Sequence, residues 1–464
     1  MKKLSTFSAT LLLALPVAFI AYAYTGNKGH KVTTTPLTPE QEEFQPYRNE
    51  VPPDSVYSGP LFKLSHNYPE SVNAVVNPPW DRALKNQPLS QLNVFAYMNA
   101  LKGFVAPNLI PFFTDNSNWD AAKHHWFHEP WTGIEREPIL GTYQGNGNSA
   151  HMFKSLTVDE AGYVLTLYNP TAAYTVGKIW GKSGKAPNLL NNATQFKEGS
   201  VIVKLAFSNV NGDKWPVMQG AQTFKIYDTL ATDTIPTKKY KLRKVSFFQM
   251  DIIVKDSKAS PKTGWVYSTF VYDKDVNGGS TLLGFWNQMV PLGAMWGNDP
   301  DIISPITPPY PRLRETAINP NAPFYSKETL GWGGRLSGPN DGAVALNDTD
   351  VNGTAYKRLA LSSCMSCHSP AQDQFVSFLL PAASDSTPTY VPRGKNWRLW
   401  FQNRPGNVPF NQGQVAMDYD MVMAFKSLTD YLTITGPIKN QIFIKRMAAI
   451  KRFRKHSTNA LFWH

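Results

Sequence analysis

"KVSFFQMDIIVKD" (residues 244–256) and "TGWVYSTFVYD" (residues 263–273) alternate apolar with polar side chains and are rich in β-branched and aromatic residues. A period of two with that composition reads as neighbouring strands, one face of each turned to a core. Working outward, "GYVLTLYN" (162–169) and "SVIVKLAFS" (200–208) repeat the pattern, and Gly, Pro, Asn and Asp punctuate the connections. The four segments together predict an antiparallel sheet with its core over about 150–275, in a chain that is mainly β with some α and has extra helices and long loops. Lys204 and Lys255 each fall inside a strand, and the alternation puts them on the polar side, facing solvent.

Composition supports a large folded body. The chain has 464 residues, is 13% aromatic and contains 36 prolines and 31 glycines, enough apolar matter for a sizeable core and enough breakers for many short strands. Residues 24–80 read differently: "TTTPLTPEQEEFQPYRNEVPPD" is rich in Pro, Thr and Glu without periodicity, a linker-like arm with order beginning near Val75. The amino terminus "MKKLSTFSATLLLALPVAFIAYAYTG" has Lys2 and Lys3, then an apolar run from Ala9 to about Tyr22, then the small-residue signal Ala21-Tyr22-Ala23. It reads as a secretory signal peptide over 1–23, which places the mature chain in the periplasm or outside the cell.

The formal net charge of +12 is concentrated at one end. From Pro437 onward the chain carries Lys439, Lys445, Arg446, Lys451, Arg452, Arg454 and Lys455 and no acidic residue, so the remainder is only mildly basic. Ile442, Ile444, Met447, Ile450 and Phe453 make this tail, 436–464, a passable basic amphipathic helix that could meet an anionic lipid surface or an acidic redox partner, although a solvated terminal helix or a disordered tail is the commoner reading of such a segment. Nucleic acid is not an expected partner of an exported protein of this kind.

The chain's two cysteines both lie in "LSSCMSCHSPAQ" (361–372), as Cys364-x-x-Cys367-His368. Roughly one random placement in 10^4 to 10^5 would give this spacing with a following histidine, and C-x-x-C-H is the pattern for covalent attachment of c-type haem. The two thiols would add across the haem vinyl groups and His368 would be the proximal iron ligand. A zinc site would want further cysteines, and a thioredoxin-like pair would want a βαβ setting without Pro370 close behind. A disulfide across two residues closes too small a loop to stabilise much. His124, His125 and His128, in the tryptophan-rich stretch "WDAAKHHWFHEPWTGIEREPIL" (119–140), lack a metal-binding spacing and are expected as hydrogen-bonded members of an aromatic cluster.

Further signals frame the motif. "TLLGFWNQMVPLGAMWGNDPDIISP" (281–305) starts as a short helix that stops at Pro291 and Gly293, and "GWGGRLSGPNDG" (331–342) is a glycine-rich loop without phosphate-binding spacing. Thr354 to Ser362 reads as a short helix delivering Cys364, and 418–432 as a helix with Val422, Phe425, Leu428, Thr429 and Leu432 near one face. A haem domain over 81–435 follows.

Several of these stretches carry a resemblance. "WFHEPW", "EREPILG", "FKEGSVIVKL", "QMDIIVKDSKASPKTGWVYSTFVYD", "VPLGAMWGNDP", "GWGGRLSGPNDG" and "SCMSCHSPAQ" resemble, over most of the mature chain, a family of exported bacterial monohaem cytochrome c proteins. "FKEGSVIVKL", the paired strands and "CMSCHSP" are also similar to the β-sheet cytochromes of the P-four-sixty type and the cytochromes c prime beta. The resemblance implies one covalent haem c held against an antiparallel sheet, His368 proximal, and an opposite face open to a small ligand such as nitric oxide or hydroxylamine. Hydroxylamine-oxidising relatives tie a sheet lysine to the haem. No such crosslink is carried over to Lys204 or Lys255, and residues 343–362 look like an insertion in the shorter pattern.

Two functions follow as expectations. One is one-electron transfer to a redox partner protein; the other is binding or oxidation of a small nitrogenous ligand at an open iron position. No catalytic acid or base is nominated. Met417, 49 residues after His368, with Met421 and Met423 behind it, is the candidate for a sixth ligand, against the expectation that the distal face has no strong protein ligand.

Overall fold

The computed structural model describes residues 44–428, less 49, 132–135, 182–186, 230–238, 279–283, 303–308, 310–311, 343, 347–357, 361 and 374–394, together with Thr33 and Thr34. The signal segment and the basic tail therefore lie outside the described residues, as does Thr354–Lys357 of the expected haem-delivering helix.

Among the described residues, eight antiparallel strands form the main sheet. They are β1 (Tyr143–Asn148), β2 (Glu160–Tyr168), β3 (Val201–Ser208), β4 (Thr223–Asp228), β5 (Lys241–Lys255), β6 (Trp265–Tyr272), β7 (Met289–Met295) and β8 (Thr316–Ile318). Their order is β8-β7-β6-β5-β3-β2-β1. The long β5 also pairs with β4 along its first half. All four sequence-predicted strands are present as β2, β3, β5 and β6, neighbours in the sheet, and the fold is mainly β with some α.

Alternation divides the strands between two cores. Val203 and Leu205 of β3 and Met250, Ile252 and Val254 of β5 join one apolar cluster. Ile202, Ile253, Trp265, Tyr267 and Val271 point the other way into a second. Helix α1 (Val94–Thr114) covers the first face with Val94, Tyr97, Met98, Leu101, Val105, Leu109 and Phe112, a spacing of three and four that lines up one helix face. Pro107 and Pro111 lie inside it, each removing one intrahelical donor, which hides this helix from a reading by breakers. Tyr97 donates to Asp256 at 2.7 Å, tying the helix to the end of β5.

The second face carries α2 (Pro170–Trp180), capped by Asn169, and the segments that bear the cysteine motif. Here three expectations are corrected. The arm is packed on the fold well before Val75: Phe44 is 4% exposed and packs its ring on Trp131 and Trp180, and Tyr68 is buried beside them. An ion pair, Arg48 to Asp228 at 2.8 Å, fastens it further, so its few aromatic residues outweigh its polar composition. Gly284–Gln288 is the expected helix, but Met289–Met295 continues as a strand through Pro291 and Gly293, with a register irregularity where it meets Thr269 and Phe270. Arg358–Ala360 is a strand paired with Val344–Leu346 rather than part of a helix.

Candidate functional site

Helix α3 (Cys364–His368) is one turn long and is held by its surroundings more than by its own propensity. Ser363 caps it, accepting from the Ser366 N–H at 3.2 Å while its own N–H donates to Ser366 Oγ at 2.8 Å. The glycine-rich loop is its bracket: the Trp332 N–H donates to Ser362 O and the Cys364 N–H donates to Leu336 O. A Cβ on Gly331 would overlap Ser362 O, so glycine there is what lets the two backbones meet. On the other side Gln372 pairs with Ala416, and the Met417 N–H donates to Ala371 O.

These contacts set Cys364, Cys367 and His368 on the second face of the sheet, with Cys364 buried and the other two half-buried. No disulfide joins the two cysteines. His368 Nδ1 stands 2.9 Å from Tyr419 O, and because a carbonyl only accepts, Nδ1 carries the proton and Nε2 keeps its lone pair. Tyr267 lies against the imidazole, its ring centre 4.9 Å away. Burial pushes the His368 pKa down to about 4 although the Tyr419 hydrogen bond opposes this, so the ring is neutral at neutral pH.

The donor set suits a c-type haem. Fixing one imidazole nitrogen on a carbonyl is the arrangement that orients a metal-ligating histidine and raises its basicity. Burial, with the charge of Asp341 adding to it, pushes the Cys367 thiol up to about 12 and raises the Cys364 thiol as well. That is the reverse of what a redox-active pair or a thiolate metal site needs.

The expectation for the lysines is overturned. Lys204 and Lys255 side chains are only 18% and 12% exposed, because the loops at 331–342 and 415–421 close over this face and bring carboxylates to them. Lys204 Nζ lies 2.8 Å from Asp341 and 3.4 Å from Asp251, its register partner across the sheet. Gln249 donates to both aspartates, and Thr269 donates to Asp251 at 2.7 Å. Burial alone would lower the Lys204 pKa, but the two carboxylates outweigh it and hold the ammonium charged. Asp341 is held below its ordinary value by Lys204 against its burial, whereas Asp251 is raised by burial and by its neighbour Asp341. Asp341 also comes within 3.9 Å of Cys364 Sγ, so this charged group abuts the motif.

The segment expected as a helix from Asp418 instead begins with two consecutive residues in the left-handed region, Asp418 at φ 45° and Tyr419 at φ 69°. For a residue such as tyrosine this costs about 1–2 kcal/mol, whereas aspartate visits the region more readily. The helical turn proper is a wide one over Val422–Ser427, and residues 429–432 lie outside the described residues. Met417 is 1% exposed. Two residues further on, the Tyr419 carbonyl meets His368 Nδ1. Met421 and Met423 fill the same apolar cluster.

Two of the three histidines keep to the aromatic cluster, and His125 does not. His124 stacks on Trp119, His125 is exposed, and His128 is buried, accepting from the Ser65 N–H at 3.1 Å. Asp341, Asp418 and Tyr419 are the site residues that the sequence reading missed; the only signal was the pair of strand lysines, which need acids when covered. No family model matches the chain, and no curated protein or solved structure matches it either.

Proposed function

We propose that the chain is an exported c-type cytochrome that carries one covalently attached haem and serves one-electron transfer with a redox partner protein. Cys364 and Cys367 would hold the haem and His368 would be the proximal ligand; bound there, the group supplies a ferric/ferrous couple. The observation that carries the reading is the C-x-x-C-H turn with its histidine locked as the Nδ1-protonated, neutral tautomer by Tyr419 O. The chain's own part is to anchor and orient. The capped turn and the glycine-rich loop fix both sulfurs, and the sheet backs the imidazole through Tyr267. After denaturing electrophoresis, a peroxidase stain for haem should mark the wild-type band. The stain should be lost on replacing Cys364 and Cys367 together by Ala, and a stained double variant would sink the assignment.

A second reading, binding or oxidation of a small nitrogenous ligand such as nitric oxide or hydroxylamine, draws support from the position of Met417. Met417 is buried in the apolar cluster that packs on the motif, as a core side chain would be. Carbon monoxide should then bind the reduced wild type. If it binds only after Met417→Ala, the second reading fails and the plain carrier stands.

A further inference from the structure

We propose that Asp418, gripped by Lys255 and Trp265, is a positioning residue for His368: it fixes the left-handed turn whose next carbonyl, Tyr419 O, holds the imidazole. Lys255 and Trp265 are direct register partners on β5 and β6. Both reach one carboxylate, with Lys255 Nζ 2.7 and 2.9 Å from the two oxygens and Trp265 Nε1 donating to Oδ1 at 2.8 Å. The Phe196 N–H donates to Oδ2 at 2.8 Å, so the four contacts leave Asp418 no freedom to turn, and it is fully buried.

The grip coincides with strain that needs it. Asp418 and Tyr419 both have positive φ, a conformation that aspartate visits more readily than most residues but that a bulky tyrosine holds only where the surroundings impose it. The Tyr419 hydroxyl donates to Arg404 O at 2.7 Å and pins the far side of the turn. Gly406 makes room: a Cβ there would overlap Asp418 Oδ1 and crowd Lys255 Nζ. What the strained turn presents is the carbonyl at 2.9 Å from His368 Nδ1, so relaxing the turn withdraws the acceptor without touching Cys364, Cys367 or His368.

This inference rests on the haem reading and deepens it: through Asp418 the sheet sets the basicity of the proximal ligand, hence the balance between the ferric and ferrous states. The test uses the full mature haem-bearing protein. In Asp418→Ala, haem staining should persist, the reduction potential should move upward, and the His368 Nδ1 proton of the ferric protein should exchange with deuterium roughly tenfold faster, the factor expected for loss of about one net hydrogen bond. Asp418→Asn tolerates the left-handed backbone and keeps one acceptor, so it should lie between wild type and Ala. Lys255→Met should shift the potential in the same direction and Lys255→Arg should return it toward wild type. Variants that stain for haem and lose thermal stability, yet keep the wild-type potential and proton exchange, would overturn the positioning role and leave the haem reading intact. An unstained wild type would remove both.

Discussion

Replacing Lys204 by methionine keeps the length of the side chain and deletes its charge. In the wild type, Asp341 is held below the ordinary carboxyl value, so its contribution to stability is in place above about pH 4 and is lost as pH falls further. Without the ammonium, Asp341 and Asp251 face one another with only Gln249 donating to both. Removing one member of a buried charge cluster costs about 3–5 kcal/mol, because the partners stay buried and uncompensated. With an unfolding entropy of about 2.1 cal/mol/K per residue over a 464-residue chain, that is a fall in Tm of roughly 3–5 °C. The sign of the pH dependence is set as well. In the variant both carboxyls titrate above their unfolded values, so the deficit is full at pH 8 and shrinks as pH falls toward 5. Urea titrations of both proteins at pH 5 and pH 8 measure it. A deficit under about 1 kcal/mol at pH 8, the range of an exposed pair, or one that grows on acidification, would refute the reasoning.

Other expectations follow from single residues. Phe44→Ala removes a ring packed between Trp131 and Trp180 and should cost about 3–5 kcal/mol; a urea midpoint unchanged from wild type would mean that the arm is not docked. Burial pushes the Asp420 carboxyl up to about 7 against the hydrogen bonds it accepts, so it favours the protonated form and wild-type stability should decline as pH rises from about 4 toward 7. Asp420→Asn should flatten that slope in thermal melts, and an equal slope would argue against it. Amino-terminal sequencing of the exported protein should begin at Tyr24, after the Ala21-Tyr22-Ala23 signal; an intact Met1 on membrane-bound protein would indicate a retained tether.

The sheet was legible where β-branched and aromatic residues ran on between breakers. β2, β3, β5 and β6 each carry such a run over eight or more residues, and the motif at Cys364, Cys367 and His368 was legible because spacing alone defines it. Elements hidden by contrary local signals were not. Two prolines masked α1, proline and glycine masked β7, and polar composition masked the docking of Phe44 and Tyr68. The covered lysines illustrate a deeper limit. Alternation says that Lys204 and Lys255 share the face opposite Val203 and Val254, and that is what is found. It says nothing of Asp341 and Asp418, which arrive from far along the chain to close that face, nor of the left-handed turn at Tyr419 that gives His368 its partner.

The central claim is that Cys364 and Cys367 are spent in covalent attachment of one haem. Intact mass measurement of the exported protein after extraction with acidified acetone, which strips haem held without covalent bonds, tests it most directly. The expected result is a chain beginning at Tyr24 and heavier by one haem, with no thiol left to alkylate. A chain at its bare polypeptide mass, with both thiols alkylating after denaturation, would contradict it.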